Sequence, residues 1–408
     1  MATQSTDVLC CRQLDMGETH DLYMSTELPT AAKPAEGSSS DSTHIASTLR
    51  THSSMDSSPD IFHRSCIHNP LRDCNSSASH SFTVVSYNIL AECHKKLGDY
   101  HLYTEERFLT QEFRHQLLLQ ELLYLDADVI CLQEVNPSYY NTHLHPALLK
   151  HGYEGVFIKR TKDFFDEGEA TFFRTKRFSL ECHKGIPLTA DLITKVKGAG
   201  QDTFLWDAVR KYLDRSDVIS VCTLRCRNTD KKLTVGNVHV TWDDLRCQDV
   251  QALQIASAVK HVVLQAGGDA FPHIICGDFN SFPTSVGYQL MCDGSLLDTN
   301  KAFLSSVKNI KSSTGPKSLI NYLLEEFKHT SSNIASAYKT CLGHEPEITC
   351  RDYSFTGCLD YIFYGREGLG VADILGIVDS SVIDKNGGLP NQGFPSDHVS
   401  LKSTLYFK

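Results

Sequence analysis

Ile274-Ile275-Cys276-Gly277-Asp278-Phe279-Asn280 runs from an uninterrupted apolar segment, through a glycine, into an acid and an amide two residues apart. A short apolar run without polar alternation is a strand buried on both faces, so the sheet that holds it must be covered on both sides. The same pattern recurs along the chain. Val129-Ile130-Cys131-Leu132 leads into Gln133-Glu134, and Phe82 to Tyr87 leads into Asn88. Leu233 to Val240 carries Asn237 and His239, and Asp360 opens the run Leu359 to Tyr364. Further strands are expected at Ala170 to Arg174 and Val218 to Leu224, with a last one after Ser396-Asp397-His398. Leucines at helical spacing over 117–125 and apolar positions over 247–265 predict helices, as does 317–327, while about 299–347 reads as surface helices and loop. Strands alternating with helices imply an α/β domain with helices outside its sheets.

The chain has 408 residues, 41% of them hydrophobic, which is enough for a packed core. Residues 1–79 are rich in Ser, Thr and His without sustained hydrophobic period, the composition of a disordered tail, and the folded domain is expected over 80–408. No apolar run is long enough to span a bilayer, and no membrane partner is expected. Acids crowd the first thirty residues beside the single base Arg12, unlike a mitochondrial transit peptide, and a cytoplasmic or nuclear location is expected instead. The 15 cysteines are scattered with no C-x-x-C pair, which reads as a reducing compartment without disulfides. A net charge of −10 argues against a broad basic face for nucleic acid, so any substrate groove must be local.

Polar groups gathered at strand ends suggest a catalytic rim, because a sheet fixes them rigidly. A single Asp after a strand is as readily a turn residue or helix cap. The chemistry that uses the whole set is phosphodiester hydrolysis. Hard cations that neutralise phosphoryl oxygens take carboxylate and amide oxygens, for which Glu134 and Asn88 are suited. Asp278 is placed to accept a proton from an attacking water; Asn280, His239 and His398 are donors for a phosphate; Asp360 can orient His398.

Ser86-Tyr-Asn-Ile-Leu90, Ile130-Cys-Leu-Gln-Glu-Val135, Gly277-Asp-Phe-Asn-Ser281, Leu359-Asp-Tyr-Ile-Phe-Tyr364 and Pro395-Ser-Asp-His398 resemble, in order, the motifs of the endonuclease/exonuclease/phosphatase superfamily. Tyr87-Asn-Ile-Leu-Ala91 and Asp126 to Val135 are similar to the group of carbon catabolite repressor-type deadenylases, nocturnin, the angel proteins and 2′,5′-phosphodiesterases. The resemblance implies a four-layer sandwich of two packed β-sheets flanked by helices over about 82–408. It implies Mg2+, with Mn2+ as a substitute, held by Glu134 with Asn88 beside it. Asp278 would be general base or second ligand; Asn280, His239 and His398 would meet the scissile phosphate, with Asp360 partnering His398.

Likeness to the deadenylases centres on His239-Val-Thr-Trp242-Asp243, on Phe355-Thr-Gly-Cys-Leu-Asp360 and on Gly388-Leu-Pro390. It implies adenine contact by Phe355 and a substrate role for Trp242. Asp244 stands where a base-clamping proline is expected, and Glu167 carries over only as an orienting residue. The leucine-rich repeats that dock one deadenylase branch to its large complex are absent. The expected activity is a 3′-to-5′ exoribonuclease acting on adenine-rich 3′ ends. The alternatives are a 2′,5′-oligoadenylate, 2′,3′-cyclic phosphate or nucleotide phosphate substrate, as suggested by Glu167 to Leu180, and an inactive RNA-binding scaffold.

Overall fold

The computed structural model describes residues 64–71, 80–95, 103–162, 165–197, 203–242, 247–353, 355–384 and 388–408. Two large mixed sheets form its centre. The first contains β1 (Cys66–His68), β2 (Ser81–Asn88), β3 (Val129–Val135), β4 (Tyr153–Lys159), β5 (Gly168–Arg174), β14 (Leu369–Leu375) and β15 (Leu401–Phe407), in the spatial order β1-β14-β15-β2-β3-β5-β4. The second contains β6 (Phe178–Pro187), β7 (Val218–Cys226), β8 (Lys232–His239), β9 (His273–Asp278), β10 (Ile334–Ser336) and β13 (Asp360–Gly365), in the order β10-β13-β9-β8-β7-β6. A separate hairpin joins β11 (Cys350–Arg351) to β12 (Thr356–Gly357).

Each large sheet is antiparallel except for one central pair. β2 runs parallel to β3, and β8 runs parallel to β9. A parallel pair delivers two C-terminal ends to one edge, so Asn88 and Glu134 arrive together from the first sheet and His239 and Asp278 from the second. Between the sheets lies a core that includes Val84, Val129, Cys131, Val235, Ile274, Cys276 and Ile362. Leu118, Leu122 and Leu125 of the helix Gln111–Leu125 pack on the outer face of β2 and β3. Val259 and Val262 of the helix Gln248–Ala266 cover the other sheet. These are the four layers of an α/β sandwich. The first helix is capped by the Thr110 hydroxyl, which accepts from Phe113 N–H. The second ends at Gly267, whose φ of +96° closes the last turn.

β1 lies upstream of the expected domain start at residue 80 and pairs with β14. Residues 1–63 and 72–79 of the expected tail lie outside the described residues. The helix expected over 317–327 is shortened to Ile320–Leu323 and a 3-10 turn over Leu324–Glu326. Lys317 is drawn away from it, exchanging both backbone hydrogen bonds with Ile310. No described helix is long and apolar enough to cross a membrane.

Candidate active site

Gly277 explains why the decisive stretch contains a glycine. Its φ is +149°, and a Cβ there would lie 1.8 Å from the Val238 carbonyl oxygen. β8 and β9 can therefore pair closely right up to Asp278. Register then does the positioning: His239 is paired with Asp278 across β8 and β9, and Asp278 with Asp360 across β9 and β13. Two carboxylates at paired positions repel each other unless hydrogen-bond donors or cationic groups stand over them.

Such groups are present. Nε2 of His239 and Nε2 of His398 each lie 3.6 Å from Asp278 Oδ2. Asp278 Oδ1 accepts from the backbone N–H of Asn280, a residue held at φ +45°. Asn280 gives one amide hydrogen to the Val240 carbonyl and retains the other. Asp360 Oδ2 accepts from His398 Nδ1 at 2.8 Å and from the Thr349 hydroxyl at 2.7 Å. Burial opposes a charge on His398, but the Asp360 carboxylate, with the Asp278 carboxylate beside it, raises its pKa well above 6.5. Burial likewise pushes Asp360 up to about 6.

The first sheet supplies Glu134 differently. The β3–β5 ladder shifts register between Leu132 and Val135, and Glu134 adopts φ +57° inside that irregularity. Strained backbone of this kind costs about 1–3 kcal/mol and persists only where surroundings enforce it. Here Glu134 accepts from Asn88 Nδ2 at 3.0 Å and from the Ala91 N–H at 2.9 Å. The same Asn88 nitrogen donates to Asp278 Oδ2 at 3.1 Å, so one amide links the acids of both sheets. Asn88 Oδ1 is occupied by Leu90 N–H. Burial penalises the Glu134 charge, yet His94, His239 and these donors hold its pKa far below the ordinary carboxylate range.

His94 and Arg160 were not identified from the sequence. His94, on the short helix Glu92–Lys95, places Nε2 3.8 Å from Glu134 and 3.4 Å from Glu167. Arg160 sits between Glu167, Asp217 and His239, with Nε 2.5 Å from Glu167 Oε1 and Nη2 3.0 Å from His239 Nδ1. A guanidinium only donates, so His239 Nδ1 must offer its lone pair and the ring proton rests on Nε2, facing Asp278. Glu167 is therefore a buried brace for these two cations. Neighbouring Glu169 is buried with neither oxygen bonded, and burial followed by the Glu167 charge pushes its pKa well up. The only sequence signal for His94 is its place six residues beyond Asn88; Arg160 and Thr349 follow no motif.

Phe355, half-buried beside the β11–β12 hairpin, meets the ring of Phe282 at 5.2 Å. The hairpin adjoins the cluster because Cys350 bridges to His398. Trp242 is partly buried just beyond His239, while Asp243 and Asp244 lie outside the described residues.

The donor set fits a hard divalent cation. Asp278, Asp360 and His398 bring ligand atoms within 4.8 Å of one another, and Asp360 Oδ1 is buried without a hydrogen-bond partner. Glu134 stands one amide away through Asn88. Carboxylate oxygens are the ligands such a cation takes.

Residues 85–398 match the model of the endonuclease/exonuclease/phosphatase family. The chain is similar to the CCR4-Not complex 3′-5′-exoribonuclease subunit Ccr4 of Aspergillus niger, 30% identical over 363 residues, covering 80% of this chain and 52% of the relative. It is also similar to 2′,5′-phosphodiesterase 12 of Homo sapiens, 31% identical over 341 residues, covering 79% and 51% respectively. The chain thus spans about half the length of these curated relatives. Among solved structures, ANGEL2, a 2′,3′-cyclic phosphatase, aligns with TM-score 0.67 at 24% identity over 84% of this chain and 98% of its own. The human Nocturnin catalytic domain aligns with TM-score 0.57 at 24% identity over 86% and 100%. Both share the fold. With the family's model matched across both sheets and the strand-end cluster, the chain belongs to the endonuclease/exonuclease/phosphatase family.

Proposed function

We propose that this protein is a divalent-metal-dependent phosphodiesterase that hydrolyses RNA from its 3′ end, with preference for adenine. One observation carries the proposal: two parallel strand pairs on facing sheets deliver Asn88, Glu134, His239 and Asp278 to one edge, where Asp360 and His398 join them. The similarity to Ccr4 supports a 3′-to-5′ direction, and the paired rings of Phe282 and Phe355 supply faces for stacking a base.

In this reading Asp278 takes the proton of the attacking water, and the two imidazoles beside it receive the phosphate. His239 donates through Nε2, its tautomer set by Arg160. His398 donates through Nε2 while Nδ1 bonds Asp360, as a carboxylate commonly orients a hydrolytic histidine. Asn280 offers its remaining amide hydrogen to a phosphoryl oxygen. Glu134, Asp278 and Asp360 are the residues to hold the cation, which when bound would neutralise charge on the phosphoryl oxygens.

The 31% identity to 2′,5′-phosphodiesterase 12 favours a second reading, in which the same site cleaves 2′,5′-linked oligoadenylate. A substrate panel separates them: 3′,5′-oligo(A) with a mixed-sequence 5′ half, 2′,5′-oligoadenylate, and RNA ending in a 2′,3′-cyclic phosphate. We expect 3′-to-5′ shortening of the oligo(A) with Mg2+ or Mn2+, loss in chelator, and a slower rate with Ca2+. Faster turnover of the 2′,5′ substrate selects the second reading. Rates that survive both Glu134→Ala and Asp278→Ala would reject each and leave an RNA-binding scaffold.

A further inference from the structure

We propose a second metal site, of transition-metal character, at the outer edge of the first sheet, formed by Cys66, His68 and Asp373. The backbone places all three. Cys66 and His68 are two residues apart on β1 and so share a face, and His68 is paired directly with Asp373 of β14. One ligand atom from each lies within 4.8 Å of the other two. Tetrahedral Zn2+ with bonds of about 2.0–2.3 Å needs its ligands about 3.3–3.8 Å apart, so side-chain rotation closes the gap. A thiolate, an imidazole and a carboxylate make a set that Zn2+ accepts and Mg2+ does not. Solvent completes the fourth position, since Cys66 and His68 are exposed.

Neither the His68 ring nor the Asp373 carboxylate makes a hydrogen bond among the described residues. The nearby Lys402 ammonium donates to the Leu125 carbonyl and offsets part of the cluster's charge. Binding releases one proton, from the Cys66 thiol to buffer, as its sulfur becomes the ligand. The ion would clip a three-residue edge strand to its neighbour. That clip reinforces Arg64, just upstream, which is buried against Ser400 and Glu121. The site is thus structural and independent of hydrolysis.

The test uses the full 408-residue chain, stripped with chelator and then titrated with Co2+ in excess Mg2+. We expect near-ultraviolet thiolate-to-cobalt absorption that vanishes in Cys66→Ser and persists in Cys93→Ser, whose thiol lies near the strand-end cluster. His68→Gln and Asp373→Asn should each weaken Co2+ and Zn2+ binding at least about tenfold. Zn2+ should raise the Tm of the parent chain but not of Cys66→Ser, with the two melting alike in chelator. Absorption that survives Cys66→Ser, or no thiolate absorption at all, overturns the proposal. So does a Zn2+ shift in Tm that is equal in both proteins.

Discussion

The two sheets bring their acids to a common edge by different means. In the second, His239, Asp278 and Asp360 occupy registered positions on three adjacent strands, and the hydrogen-bonded ladder itself sets their spacing. In the first, Glu134 leaves the ladder at an irregularity and is held by what surrounds it: Asn88, Ala91 N–H, His94 and, through Glu167, Arg160. One half is fixed by register and the other by compensated charge. The register half is rigid and intolerant of backbone change. The charge-held half responds to whatever alters its balance, including pH and cations.

Breaking the register half at its centre has the largest expected effect. Asp278→Asn keeps shape and removes both the proton acceptor and a cation ligand, so the initial rate of RNA hydrolysis should fall about 10³–10⁴-fold and should not recover even far above the magnesium concentration for half-maximal rate. Glu134→Gln should instead raise that concentration at least about tenfold; identical behaviour of the two variants would erase the distinction. Gly277→Ala attacks the ladder directly. Its Cβ would strike the Val238 carbonyl, and chemical denaturation should show a loss on the order of 3–5 kcal/mol, or no folded protein.

A pH scan sharpens the other half. Burial works against a charge on His94, but Glu134, Cys93 and Glu167 together raise its pKa from 6.5 to about 10. Its stabilising contribution is then complete below pH 6.5 and is lost as pH rises through about 10. In chelator, stability should decline over that window by on the order of 2 kcal/mol, and His94→Gln should flatten the decline. Equal slopes in both proteins would show that charge does not hold this half. The smallest effect is expected outside both halves. Phe282→Ala should reduce the preference for oligo(A) over oligo(U) about tenfold through lost stacking, measured as a ratio of kcat/KM.

Much of this was legible in the sequence because short apolar runs with polar groups at one edge are readable one strand at a time. β2, β3, β8, β9 and β13 all carry that pattern. β4 and β6 do not: at Tyr153–Lys159 and Phe178–Pro187 many side chains are only partly buried, and polar and apolar residues mix without strict alternation. Arg160 and Thr349 lay beyond reach for another reason. Each acts through a partner, Arg160 on His239 in a distant strand and Thr349 on Asp360 across the β11–β12 hairpin, and no motif marks a residue whose role is to orient another. Asn88 was singled out beside Glu134, but its second bond, to Asp278 on the facing sheet, depends on how the sheets dock.

That Asn88 amide reaches across 190 residues of chain. During translation, Glu134 and Asn88 leave the ribosome long before Asp278 does, and His398 follows last of all. A growing chain therefore holds half of its site with nothing to complete it. For a protein proposed to shorten RNA this order has a use: the message being read, and the transcripts around it, meet an assembled hydrolytic centre only after every residue through His398 has been made.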